Sequence, residues 1–121
     1  MLTRNDVIEL LKAVTAGDKR TVGEPDVMLW GAVLREGGVT SLPDAMAAVV
    51  RHHATTDAYL KPFHVVQGVS AIRAERLRTA PTDADLMRGF DPDSPAYLPE
   101  LRRRREAVAS GQPVALRAVE Q

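Results

Sequence analysis

Apolar positions recur at helical spacing through residues 1–80 and then lose their period. Val7, Leu10, Leu11 and Val14 fall at i, i+3, i+4 and i+7, the stripe of an amphipathic helix. Thr3 precedes them as an N-cap, Asp6 three residues on can complete a capping box, and Gly17-Asp18 ends the run. Thr21 repeats the device with Glu24. Pro25 follows in the first turn, where a missing N–H costs little. Val22, Val27, Trp30, Val33 and Leu34 then supply an inner face, and Gly37-Gly38 stops the second helix. Ser41 with Asp44 opens a third, whose face is Leu42, Ala45, Met46, Val49 and Val50 and which fades around Ala54-Thr55-Thr56. A fourth opens near Pro62 and runs to about Arg78, with Val65, Val69, Ile72 and Leu77 apolar and arginines between them.

Four helices with short connections predict an all-α fold: a compact four-helix domain over residues 1–80. Five of the eight prolines lie beyond it, at Pro81, Pro92, Pro95, Pro99 and Pro113, where apolar residues become sparse. Residues 81–121 therefore read as an extended or disordered Pro-rich tail, with one short helix from Pro99 to Ala109. Such a tail has too little apolar surface to fold alone and is expected to be ordered only against the domain or a partner.

Composition sharpens this picture. Aromatic residues make up 4% of the chain, so the core must come from Leu, Val, Ile, Met and Ala, which suits helices better than sheets. The net charge is +0, and no global field drives the chain onto nucleic acid or an anionic membrane. Locally the charge is uneven. Residues 81–100 carry Arg88 against five carboxylates, whereas residues 101–121 carry five arginines against Glu106 and Glu120. The absence of cysteine excludes disulfides, thiolate nucleophiles and Cys-based zinc sites. No signal core or membrane-length apolar run is present, so a cytoplasmic location is expected.

Candidate chemistry is thin. His52, His53 and His64 are the only histidines. His52 and His53 project about 100° apart on a helix and lack the i, i+4 spacing of metal ligands, so no metal site is expected. The hydroxyls of Thr3, Thr21 and Ser41 are accounted for as caps, and Gly37-Gly38 sits between helices rather than after a strand. No catalytic residue and no cofactor site is assigned, and the chain is expected not to be an enzyme. Trp30 and Phe63 are expected in the core. The third and fourth segments can also be set against a helix-turn-helix, with Lys61, Arg73, Arg76 and Arg78 as candidate nucleic-acid contacts and the run Arg102–Arg105 adding phosphate contacts. Ala54 to Lys61 is longer than the turn of that motif, and the fourth helix opens on Phe63, Val65 and Val66, where base-reading polar groups belong.

The order of three segments resembles the small phage and prophage proteins related to replicative-helicase loaders. These are Arg20-Thr21-Val22-Gly23-Glu24-Pro25-Asp26-Val27 leading to Trp30; Ala45-Met46-Ala47-Ala48-Val49-Val50-Arg51-His52-His53; and Thr55-Thr56 leading through Tyr59-Leu60-Lys61-Pro62 into Phe63-His64-Val65-Val66 and on to Ile72-Arg73-Ala74-Glu75-Arg76-Leu77. The variant with His64-Val65 and Ile72-Arg73 looks like those of actinobacterial phages. The match covers about residues 3–78, and the tail after Pro81 cannot be matched residue by residue, so no helicase-contact residues are carried over from the resemblance. The resemblance implies a helical N-terminal domain, a flexible C-terminal segment that contacts the helicase, and no ATPase motif.

The expected function is therefore that of a non-enzymatic adaptor, a loader or inhibitor, that binds the replicative helicase in the bacterial cytoplasm. Tyr97, Leu98 and Leu101 are expected as apolar anchors, with Arg102, Arg103, Arg104 and Arg105 meeting acidic helicase surface. The alternatives are a small DNA-binding regulator and a phage effector that binds another host protein.

Overall fold

Local caps mark where most of the helices begin. In the structure, a computed structural model that describes residues 1–112, six helices follow one another: α1 (Arg4–Asp18), α2 (Glu24–Glu36), α3 (Leu42–Thr55), α4 (Pro62–Arg78), α5 (Asp83–Leu86) and α6 (Tyr97–Ala109). The described residues contain no strand, and the fold is all-α. Two compact units divide the chain, Met1–Ile72 and Arg73–Gln121. The division falls inside α4 rather than at residue 80. Of the predicted tail, residues 113–121 lie outside the described residues.

In the first unit Thr3 and Asp6 form the expected capping box. The Asp6 amide donates to Thr3 Oγ1 at 3.1 Å, and the Thr3 amide to Asp6 Oδ2 at 2.9 Å. Ser41 Oγ likewise accepts the Asp44 amide at 3.2 Å and starts α3. The start of α2 differs from expectation: the cap is Gly23, not Thr21. The Asp26 carboxylate accepts the Gly23 amide at 2.8 Å and the Asp26 amide donates to the Gly23 carbonyl at 3.0 Å, so no hydroxyl takes part in this cap. Helix α4 has an unforeseen cap, since the Lys61 amide donates to His64 Nδ1 at 2.9 Å. Gly38, at φ 79°, turns the chain after α2. The Val39 amide then bonds back to the Leu34 carbonyl at 2.9 Å, and Val39 is carried into the core.

That core joins Val7, Leu10, Leu11 and Val14 of α1 to Trp30 and Leu34 of α2, Ala45, Ala48 and Val49 of α3, and Val65 and Val69 of α4, with Leu2, Val39 and Leu60 from the connections. Only one aromatic ring belongs to it. Space is closed instead by small residues that let helices approach. A β-carbon placed on Gly68 would lie 2.6 Å from Ala48 Cβ and 3.3 Å from its Cα, and one on Gly37 would lie 2.6 Å from a Val66 methyl.

Phe63, expected in the core, and Val50, expected on an inner face, are exposed. Phe63 is 59% exposed, because Val65 and Val69 set the buried side of α4 and leave Phe63 with Gln67 and Ser70 on the opposite side. Val50 is also exposed, one residue past buried Val49.

In the second unit the expected extended tail is helical over α5 and α6. Thr82 caps α5 by accepting the Asp85 amide at 3.2 Å. Gly89, at φ 85°, turns the chain, and α6 begins at Tyr97, ahead of the expected Pro99. The physical reason is that this unit is tied by ion pairs more than by an apolar stripe. Its buried side chains include Glu100 and Arg104 beside Met87 and Ala109. Arg73 at the end of α4 donates to Glu106 Oε1 at 2.6 Å, and Arg76 to the Ala109 carbonyl at 3.0 Å.

Two substitutions test the first unit. Gly68→Ala is expected to lower unfolding stability by about 1–3 kcal/mol through overpacking, although helix propensity alone favours alanine over glycine by about 1 kcal/mol. Trp30→Ala is expected to cost about 3–5 kcal/mol, the range for a buried aromatic. Chemical denaturation of each variant beside the wild type measures both.

Candidate partner-binding surface on helix α6

Helix α6 is divided lengthwise by a buried ion pair. Arg104, only 1% exposed, donates from Nε to Glu100 Oε2 at 2.7 Å and from Nη1 to the Leu86 carbonyl at 2.9 Å, which closes the end of α5. Its guanidinium also stands 5.6 Å from the Phe90 ring centroid, and Nη2 has no hydrogen-bond partner among the described residues. Arg103 grips the same carboxylate with two prongs, Nε to Oε1 at 3.0 Å and Nη2 to Oε2 at 2.6 Å. The Arg103 bonds, aided by those of Arg104, hold the Glu100 carboxyl down at about 2, against the opposing pull of burial.

The seven residues expected to meet a partner are thus separated. Arg104 is inside, and no partner can reach it. Arg103 is half-buried and committed to Glu100. Tyr97 is half-buried, with its ring edge-on to Phe90 at 6.1 Å. Arg105 is exposed but paired with Asp83 Oδ1 at 2.7 Å. Leu98 is 59% exposed, Leu101 is half-buried, and Arg102 is exposed with no ion pair among the described residues. Leu98, Leu101, Arg102 and Arg105 stand at i, i+3, i+4 and i+7, so they form one outward stripe, apolar first and basic after.

The candidate nucleic-acid contacts fare differently from one another. Lys61 and Arg78 are exposed. Arg73 is held by Glu106 and Ser110, and Arg76 by the Ala109 carbonyl. Two of the four cations are therefore spent on internal bonds.

His52 and His64 bond to backbone. His52 Nε2 donates to the Ala58 carbonyl at 2.7 Å, and its ring stacks on that of His64 at 4.7 Å. Desolvation, with His52 and Lys61 nearby, holds the His64 imidazole below its ordinary value, which suits a ring that accepts the Lys61 amide. Among the described residues no group of three or more His, Cys, Asp or Glu is placed to hold a metal ion, and no helix is long and apolar enough to cross a membrane.

Two features of the first unit were not legible as sites in the sequence. One is a groove of about 840 Å³ lined by Ala13, Met46, Val50, His53 and Tyr59, among others. The other is Arg20. Its Nε reaches both Asp18 oxygens, at 3.0 and 2.8 Å, and Nη2 donates to the Leu60 carbonyl at 2.6 Å. Its guanidinium lies 3.8 Å from the Tyr59 ring centroid and 6.0 Å from that of Trp30. The hydrogen bond from Arg20 keeps the Asp18 carboxyl below its usual range. Only the Asp18-x-Arg20 spacing hinted at the pair; the aromatic partners come from distant segments.

The fold defines a small all-α protein. No family model, no curated protein and no solved structure matches the chain.

The ion pair makes a pH prediction. The Glu100 carboxyl lies lower in the folded chain than its ordinary 4.5, so its contribution is fully present above that value and is lost as pH falls towards about 2. Acid titration followed by circular dichroism is expected to show helix loss in that window. Glu100→Gln is expected to lower the thermal midpoint at neutral pH, because Arg104 is left buried without its counter-charge, and to flatten the acid response.

Proposed function

We propose that this chain is a non-enzymatic adaptor of phage or prophage DNA replication that binds the replicative helicase in the bacterial cytoplasm. The observation that carries the reading is the outward stripe of α6, on which Leu98 and Arg102 are left exposed while the neighbouring Arg103 and Arg104 are used internally. An exposed leucine beside cations suits a partner surface that is apolar and acidic. The resemblance of residues 3–78 to helicase-loader-related proteins supplies the class of partner. A non-enzymatic role agrees with the uses found for the polar groups: Thr3 and Ser41 cap helices, and His52 and His64 bond to backbone. The internal bonds of Arg73 and Arg76 count against the DNA-binding alternative.

Direct binding to a purified hexameric replicative helicase from an actinobacterial host tests the proposal. Surface plasmon resonance is expected to show a specific complex. Leu98→Asp combined with Arg102→Glu is expected to weaken it by about tenfold or more, the loss of roughly 1.4 kcal/mol or more at contact residues. Both side chains are exposed, so helicity should be unchanged. Absence of binding by the wild type overturns the reading. Steeply salt-dependent binding to random duplex would put the DNA-binding regulator in its place.

A further inference from the structure

Helix α2 is apolar on the side it buries and also on the side it exposes. From Val27 to Leu34 the chain runs Val-Met-Leu-Trp-Gly-Ala-Val-Leu without one polar residue. Trp30, Gly31 and Leu34 account for the buried side. Met28, 66% exposed, Leu29, 59% exposed, and Ala32 occupy the outer side, where a surface helix normally carries polar groups. Pro25 extends this outer stripe at its start. Charges stand only at the two ends, Glu24 and Asp26 in the first turn and exposed Arg35 and Glu36 in the last, and Glu24 and Arg35 are the oppositely charged pair. Their separation of eleven residues is close to three full turns, so the two charges lie on one side of the helix.

This arrangement is self-complementary. When two α2 helices lie antiparallel about a two-fold axis near Leu29 and Ala32, the N-terminal end of each meets the C-terminal end of the other. Glu24 of one copy then faces Arg35 of the second, and the reverse pair forms at the other end. Met28 and Leu29 of each chain cover the apolar stripe of the other, and the small Ala32 allows close approach. The intrachain ion pair of Glu24 with Arg4 is exposed on both sides and can shift to admit Arg35 at little cost.

We propose that the exposed face of α2 is a self-association surface, and that this chain forms an antiparallel two-fold dimer through it. The inference rests on the first unit alone and is independent of the helicase reading. One short helix per subunit covers less area than a standard interface, which places the dissociation constant in the micromolar range or weaker.

Sedimentation equilibrium of the full chain, from about 5 to about 500 µM, reads the mass directly over the range expected for an interface of this size. The expected result is a rise from 13.2 kDa towards twice that value. Met28→Lys with Leu29→Glu is expected to remain monomeric, with a circular dichroism midpoint no lower than that of the wild type, since both side chains are exposed. Arg35→Glu and Glu24→Arg are each expected to weaken the dimer, because each places like charges at both ends. An equimolar mixture of these two variants is expected to associate more strongly than either alone, because both ends again carry opposite charges. A wild-type mass that stays at the monomer value throughout overturns the proposal, and so does a dimer that survives the Met28 and Leu29 changes.

Discussion

The buried pair of Glu100 and Arg104 is the interaction on which the second unit depends. Two full charges removed from water are tolerated only when each finds partners that replace its hydration. Arg104 finds the Glu100 carboxylate, the Leu86 carbonyl and the Phe90 ring, with Nη2 alone left without a hydrogen-bond partner among the described residues; Glu100 finds Arg103 and Arg104. The pair ties the end of α5 to α6 and turns one side of α6 inward. The residues left on the other side, Leu98 and Arg102 foremost, thereby lie exposed. Fold and proposed function in this unit follow from the same ion pair.

The first unit solves a different problem. With few aromatic residues, it fills its interior by bringing helices together over Gly68 and Ala48 and by burying small aliphatic side chains from four helices around Trp30. Its polar bonds secure the connections between helices. Arg20 holds the Leu60 carbonyl and lies over Tyr59, and His52 and His64 bond the backbone at Ala58 and Lys61. The segment between α3 and α4 is thus tied at several points although most of its residues are exposed.

Much of the first unit was legible because its signals are local. A threonine three residues before an aspartate, a serine before Leu-Pro-Asp, and paired glycines after an apolar run each act within one turn of chain, and α1, α3, α4 and the end of α2 lie close to where these signals put them. The start of α2 was misplaced because its cap is Gly23, a residue with no side chain to signal one, held by the Asp26 carboxylate through its amide. Phe63 was misjudged because hydrophobicity says that a ring favours burial, while its position relative to Val65 and Val69 decides whether burial is open to it. The candidate site was read less well. A run of four arginines looks uniform in sequence, yet a helix sends its members in different directions, and only their neighbours show which are consumed.

The sequence by itself determined the helical class, most of the helix boundaries and the aliphatic character of the core. These depend on backbone propensity, capping and periodicity, all of which act over a few residues. Tertiary structure alone decided that α5 and α6 enclose buried charge, that Arg104 is interior while Arg102 is exposed, and that Arg20 lies against rings contributed by distant segments. Each of these is a contact across the chain whose free energy depends on desolvation and on the partner that replaces water, and neither is written in the residue that makes the contact.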